Sequence, residues 1–313
     1  MLAALPFPEF HPALFTLPRI ELGGFALGPL PLRWYALAYI AGIFLGWRYA
    51  LYLVRRPQLF GGRSPATNED LDDLIFWAMI GIILGGRLGY VFFYLLPFDP
   101  GRVASDPLTI LRVWEGGMSF HGGLIGVAVA LVTVAKARGI DLLRISDVAG
   151  VVAPIGLLFG RTANFINAEL YGRHTTSPLG VVFPEGRANS LGAPDAYNWE
   201  AREWVYTGEE LPRHPSQLYE AGLEGLLLLI VLSVVVFRFG AFKRPGLVAG
   251  LFLLGYGITR SFAENFREPD AHIGFLPGGI TMGMLLSLPM WIGGAWLVWR
   301  AYKSPPVEAA PAK

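Results

Sequence analysis

The chain has 313 residues, 53% of them hydrophobic and only 16% charged, where an ordinary soluble domain carries about 25% charged residues. A net charge of +1 offers no basic field for nucleic acid, and the absence of cysteine excludes disulfides, a thiol nucleophile and thiolate metal sites. Long apolar runs recur along the whole length, which is the pattern of a polytopic membrane protein.

The first stretch, Phe7 to Leu30, is apolar but broken by Pro8, Pro12, Pro18 and Pro29. It is too interrupted to span, so residues 1–31 are expected to lie in the outer interface. No basic region precedes an apolar core there, so no cleavable signal peptide is expected and the first span serves as an uncleaved insertion signal. Seven spans follow by hydropathy, approximately Leu32–Leu53, Leu71–Leu96, Ser119–Ala137, Ser146–Phe165, Gln217–Phe237, Gly246–Phe262 and Gly279–Val298. Each is near the roughly 20 residues a bilayer requires. The expected fold is therefore an all-α integral membrane protein of about seven transmembrane helices over residues 32–300. The loop 171–215, rich in Gly, Pro and aromatics, is expected to form a small outer-face cap, and the Pro/Ala-rich tail 301–313 to be disordered. Small-xxx-small glycine pairs (Gly42/Gly46, Gly81/Gly85/Gly89, Gly122/Gly126, Gly156/Gly160) suit close helix packing. No internal repeat is visible, which weighs against the inverted-repeat design of secondary transporters.

Lys and Arg in the short loops set the orientation. They gather after span one (Arg55, Arg56, Arg63), span three (Lys136, Arg138, Arg144), span five (Arg238, Lys243, Arg244) and span seven (Arg300, Lys303, Lys313). With seven spans these segments share one side, expected to be cytoplasmic. The N-terminus and the long loop, with Glu185, Asp195, Glu200, Glu203, Glu209 and Glu210, then lie outside.

The polar clusters follow the same order. Arg33-Trp34-Tyr35 opens span one as an aromatic anchor or part of a site, and Arg87 sits inside span two. Trp114 to Gly123 leads into span three and places His121 between glycines that cannot shield it, at shallow depth; histidine is the side chain best suited to proton transfer near neutral pH. The plainer reading of His121 is a hydrogen-bonding group. The segment Gly160-Arg161-Thr162-Ala163-Asn164 through Asn167, Glu169, Tyr171, Gly172 and Arg173 puts a guanidinium, two carboxamides and a carboxylate where an apolar span ends. Such groups are costly at membrane depth and mark a site by default. Arg161 and Asn164 share a helix face, and a guanidinium there suits a phosphate or carboxylate; the structural alternative is an Arg161–Glu169 pair or snorkelling to the interface. Arg213 to Glu220 precedes span five. Arg260, Glu264 and Arg267, at spacings of four and three, read as a ladder on one helix face, with Tyr256 one turn earlier. Arginines outnumber the obvious carboxylate partners at these outer span ends, which favours an anionic ligand, and phospholipid headgroups are the abundant candidates. No metal-ligand spacing and no nucleotide-binding loop is present, so no metal or cofactor is expected.

The segment Gly160–Gly172, together with Trp114–Gly123, Arg213–Glu220 and Gly255–Asp270, resembles the prolipoprotein diacylglyceryl transferase family, over a match running from about Pro6 through span seven. That resemblance implies seven spans in the bacterial cytoplasmic (inner) membrane, with the N-terminus outside and the active site near the outer leaflet. It implies movement of an sn-1,2-diacylglyceryl group from phosphatidylglycerol to the lipobox cysteine thiol of a prolipoprotein signal peptide, releasing glycerol phosphate. It implies that Arg161 and Arg260 hold the phosphatidylglycerol headgroup, and that His121, Tyr35, Asn164, Glu169, Gly172, Tyr256, Glu264 and Arg267 fall at important positions. Membrane lipids and the prolipoprotein are the partners; nucleic acid is not. One departure is local, with Arg33 and Ala36 flanking Trp34-Tyr35 where family members often have histidine and glycine. A flippase or transporter for an anionic lipid is the alternative, and it needs polar groups on a path through the membrane, Arg87 among them.

Overall fold

The computed structural model describes residues 4–23, 25–27, 30–113, 116–184, 197–198, 200–208, 210–268 and 274–307. Trp114, Glu115, Glu185, Asp195, Glu209, Asp270 and the tail 308–313 lie outside the described residues. The chain opens on short strands: β1 (Leu5–Pro6), β2 (Ala13–Leu17), β3 (Ile20–Leu22), β4 (Phe25–Leu27) and β5 (Leu30–Arg33). Helices α1 (Trp34–Val54), α2 (Asn68–Phe98), α3 (Pro100–Ser105), α4 (Phe120–Arg138) and α5 (Leu142–Ile166) follow. After β6 (Val181–Val182), β7 (Tyr197–Asn198) and β8 (Glu203–Trp204) come α6 (Ser216–Phe239), α7 (Leu247–Ala263) and α8 (Met282–Lys303).

Among the described residues, six helices are long and apolar enough to cross a membrane: α1, α2, α4, α5, α6 and α8. The fold is an all-α integral membrane protein. The helix expected as a sixth span, α7, has 17 residues, or about 25 Å of rise against a hydrocarbon core of about 30 Å. It is apolar but short, because Gly246 turns the chain into it with φ 88° and the polypeptide leaves it at Ala263 to deliver Glu264 and Arg267.

The starts of the helices are written locally. Thr67 and Asp70 form a reciprocal capping box at α2, with Glu69 also in the positive first turn. Ser119, Asp141 and Thr281 cap α4, α5 and α8 more simply, each side chain accepting from a backbone amide of the first turn. The glycine spacing works as a contact surface between α2 and α4. A Cβ on Gly81 would strike the Gly126 carbonyl oxygen, and one on Gly126 would strike that of Gly81. Larger residues would push the two helices apart.

Two apolar cores hold the bundle. At the basic end, Leu53, Phe60, Ile145, Val148, Val151, Leu232, Val236 and Phe242 are buried together, with Phe60 stacked on Phe242 at 4.6 Å. Asp147 is buried there, forms no ion pair among the described residues, and accepts the Gly246 and Ala249 amides at 2.7 and 2.8 Å, capping the positive N-terminus of α7. At the other end, Phe7, Phe165, Ala168, Val181, Phe183, Tyr197 and Trp204 form a second core.

The N-terminal stretch thus does more than lie in an interface. Exposed Leu14, Phe15, Leu17 and Ile20 fit that role, but Phe7 is core and β1 pairs in parallel with β6. β2 pairs with β5, β3 with β4 and β7 with β8, all antiparallel. The expected break at residue 31 falls inside β5. The expectation of a tail disordered from residue 301 also needs correction. Residues 301–303 complete α8, and the Val307 amide donates to the Lys243 carbonyl at 2.7 Å.

Candidate active site

At the strand-bearing end, three helices bring charged side chains into one buried network. Arg161 comes from the last turns of α5, Glu220 and Glu224 from the first turns of α6, and Arg260 from the last turn of α7; Glu264 caps α7 and Arg267 lies just beyond it. Arg161 Nε meets Glu220 Oε2 at 2.7 Å, and Nη2 meets Glu224 Oε2 at 3.6 Å. Arg260 Nη1 lies 3.2 Å from Glu220 Oε1 and 3.7 Å from Glu224 Oε1, while its Nη2 contacts Glu264. Arg267 Nη1 reaches Glu220 Oε1 at 3.3 Å. Glu220 is therefore the hub of three guanidinium groups. Its side chain is 1% exposed and that of Glu224 0%, against 18% for Arg161, 13% for Arg260 and 14% for Arg267. The carboxylates form the floor and the guanidinium groups the mouth. Tyr256 faces the same charges from one turn earlier on α7.

Arg161 pairs with Glu220 and Glu224, not with the Glu169 of the structural alternative. The expectation that arginines outnumber carboxylates does not hold within this network, where three of each meet. Glu224 escaped the sequence reading and Glu220 was only part of a weak segment. Two glutamates four apart in an otherwise apolar span are the signal that finds them, by the same cost argument that singled out Arg161.

A second group lies one turn along α5 from Arg161. Asn164 Nδ2 donates to Glu169 Oε1 at 2.7 Å, and the Tyr35 hydroxyl sits beside both residues and 3.3 Å from that of Tyr39. Gln217 Nε2 donates to the Glu169 backbone carbonyl at 2.7 Å, tying the start of α6 to this turn. Burial raises the Glu169 pKa, an effect that hydrogen bonds from Asn164 and Asn167 partly offset. Ala168 and Leu170 hold φ of 51° and 57°, a left-handed backbone that is unusual for residues with side chains. The strain flanks Glu169 and orients it.

Gly172 works through its backbone. Its amide donates to the His214 carbonyl at 2.8 Å, and it pairs with Arg267 on the other side. A Cβ there would lie 2.8 Å from the His214 Cβ and would collide with the Phe266 carbonyl, so the two strands could not close on either side. Arg173 Nε and Nη2 donate to the backbone carbonyls of Arg267 and Glu264 at 2.8 and 3.0 Å, fixing the exit from α7. The expected Arg260–Glu264–Arg267 ladder is present: Arg260 touches Glu264 across one helical turn and Arg267 Nε lies 4.0 Å from Glu264 Oε1, while Arg267, beyond the helix end, also reaches Glu220. Arg213 is held by Glu268 at 3.1 Å and His214 Nδ1 by the Tyr219 hydroxyl at 3.3 Å; burial lowers the His214 pKa.

His121 stands apart. It is exposed in the first turn of α4, edge-on to Phe120, and among the described residues no hydrogen bond joins it to the network. Arg87 is 5% exposed and donates to the carbonyl oxygens of Ile110, Gly116 and Gly117 at 2.9, 2.5 and 3.1 Å, and to that of Thr109. It clamps the chain that leads into α4, so it is not a step on a polar path through the membrane.

An apolar cleft of about 420 Å³ at the strand-bearing end is lined by Leu5, Pro6, Phe165, Val181, Leu218 and Tyr219 among others, and none of the charged side chains of the network lines it. Guanidinium groups at the mouth of a water-poor site can hold an anion and stabilise negative charge that grows on it.

The family model described as prolipoprotein diacylglyceryl transferase matches residues 23–300. Among curated relatives, a protein of Caulobacter vibrioides is 48% identical over 293 residues, covering 92% of this chain and 94% of its own. One of Rhizobium meliloti is 47% identical over 302 residues (96% and 95%), and one of Methylocella silvestris 50% identical over 301 residues (96% and 100%). All three are named phosphatidylglycerol–prolipoprotein diacylglyceryl transferase. A buried arginine–glutamate network at the end of an apolar helical bundle and this breadth of identity lead to one assignment: the chain belongs to the prolipoprotein diacylglyceryl transferase family.

Proposed function

We propose that this chain carries out the reaction for which its relatives are named. It transfers the diacylglyceryl group of phosphatidylglycerol to a prolipoprotein cysteine. The carrying observation is the convergence of Arg161 and Arg260, from two helices, on the single buried carboxylate of Glu220. That carboxylate holds both guanidinium groups at fixed positions while 18% and 13% of their side chains stay exposed. The phosphodiester sits at their exposed edge. Asn164, Glu169 and Tyr35 bind the glycerol hydroxyls, and Glu264, Arg267 and Gly172 keep the arginine wall in place.

The cysteine sulfur forms a thioether bond to the glyceryl carbon that carries the phosphate ester. The C–O bond breaks, its electron pair goes to the phosphate oxygen, and glycerol phosphate leaves. Arg161 and Arg260 stabilise the charge that accumulates on the departing phosphate, with Tyr256 beside them. The thiol, with an ordinary pKa of about 8.5, is deprotonated by a base, for which His121 is the candidate; its exposed place on α4 suits a group that meets the incoming peptide rather than the lipid phosphate. The basic loops support a reading in which the N-terminus and this site lie at the outer face of the bacterial cytoplasmic membrane, with α7 as the seventh crossing and the C-terminus inside. The lipobox of the signal peptide is the protein substrate.

Purified protein given phosphatidylglycerol and a lipobox peptide is expected to yield a thioether-modified peptide and glycerol phosphate. Arg161→Ala and Arg260→Ala are expected to abolish product. A well-folded wild type that makes no product overturns the assignment.

A further inference from the structure

The network that is to receive a phosphodiester anion is already neutral, with three guanidinium groups against three carboxylates. Adding an anion gives a desolvated site a net negative charge unless something compensates. The carboxylates differ in how firmly they are held. Glu220 has contacts of 2.7, 3.2 and 3.3 Å to Arg161, Arg260 and Arg267. Glu264 touches Arg260 directly. Glu224 has only long approaches, 3.6 Å to Arg161 and 3.7 Å to Arg260, and neither of its oxygens accepts a hydrogen bond among the described residues. It is also the most deeply buried of the three, at 0% side-chain exposure.

Glu224 cannot withdraw either. It lies in the π-helical turn Ala221–Leu227, which is where such turns are found when a helix is re-aimed at a site. The neighbouring Gly225 lets α6 press against the backbone of α5, where a Cβ would lie 2.7 Å from the Leu158 Cα. The groups that face Glu224 are Arg161 from α5, Tyr256 and Arg260 from α7, Arg267 beyond α7, and Glu220 on its own helix. An anion drawing Arg161 and Arg260 towards the mouth weakens their hold on Glu224 and leaves it beside Glu220.

We infer that Glu224 is the charge-compensating residue of the headgroup site, taking up one proton when an anionic phosphodiester binds to Arg161 and Arg260. The inference rests on the headgroup reading given above. Binding and protonation are then coupled. Affinity for an anionic lipid falls as pH rises, by up to about tenfold per pH unit where the bound state holds one proton more than the free state. A proton also rests beside the anion before reaction, on a group distinct from the base that meets the thiol.

Calorimetric titration of the full-length protein in detergent with dihexanoyl phosphatidylglycerol, in two buffers of different ionisation heat, counts the protons directly. Uptake approaching one proton per lipid is expected for the wild type. Glu224→Gln, which mimics the protonated residue, is expected to bind with little uptake and a nearly flat pH dependence. Binding by the wild type without proton uptake overturns the inference alone. Unchanged uptake in a folded Glu224→Gln protein does the same. Absence of saturable binding at any pH overturns the headgroup reading and takes this inference with it.

Discussion

Glu220→Gln is the substitution with the clearest consequence, because one buried carboxylate answers three guanidinium groups. Glutamine keeps the shape and removes the charge, so Arg161, Arg260 and Arg267 face only Glu224 and Glu264. At an effective dielectric of about 20, unit charges 4 Å apart interact by about 4 kcal/mol, and the three contacts of Glu220 are all closer, at 2.7 to 3.3 Å. Most of that gross attraction is offset by the desolvation the charge no longer suffers. The net cost of leaving buried charges unanswered is about 3–5 kcal/mol. In thermal unfolding of the detergent-solubilised protein this corresponds to a fall in midpoint of roughly 5–8 °C. The variant should also gain more than the wild type from an anionic ligand, since its network now carries an uncompensated positive charge. Saturation with phosphatidylglycerol at about a hundred times Kd adds about 2.7 kcal/mol, and a zwitterionic lipid should add less. A midpoint within about 2 °C of the wild type, or equal rescue by both lipids, refutes the claim that Glu220 is the electrostatic hub.

Arg161→Lys keeps the charge but loses the fork, and transfer should fall by about a hundredfold or more in a peptide-modification assay while the protein stays folded. His121→Gln should lower kcat with phosphatidylglycerol affinity unchanged; near-normal turnover would remove His121 as the base. Arg87→Met should lower the unfolding midpoint by leaving buried carbonyls unanswered, without altering the affinity of the folded protein for lipid. Glu169 has its folded pKa raised above 4.5 by burial. The unfolded chain then loses the proton first, so this residue's contribution to stability is greatest at low pH and declines as pH rises from the unfolded value through the folded one. Glu169→Gln should flatten that decline when melting is followed from pH 4 to 8, and an unchanged profile would remove burial as the dominant influence.

The sequence carried the helical bundle because apolar runs of span length and the glycine spacing have few other uses in a chain without disulfides. Span edges were unevenly legible: Asp141 caps α5 several residues before the apolar run begins, whereas α7 (Leu247–Ala263) lies within one residue of the expected Gly246–Phe262. Arg161, Asn164, Glu169, Arg260 and Glu264 were legible because polar groups at the end of an apolar helix must be answered by something. What answers them was not legible. Partner choice depends on how α5, α6 and α7 rotate against one another, and the π turn in α6 shifts that rotation by a residue that spacing rules do not anticipate. The strained turn at Ala168 and Leu170 was hidden for a related reason, since neither residue type advertises a left-handed backbone. His121 shows the converse: its glycine neighbours marked it as accessible, and exposed it is, but sequence proximity to a glycine says nothing about which charges it will meet.

The order in which the network's members are synthesised has a consequence for biogenesis. Arg161 emerges first, and Glu220 follows only after the long segment between α5 and α6, roughly 60 residues later, which at about 5–20 residues per second is several seconds of translation. During that interval α5 carries an arginine whose partners do not yet exist, at a cost of about 2.5–3.5 kcal/mol for a charge at the centre of an inserting helix and less near its end. The α5 hairpin therefore enters the lipid incompletely neutralised, and the arrival of α6 releases it from that state. Nascent chains halted before Glu220 should be held at the insertion machinery, while those extended past α7 should partition freely into the bilayer.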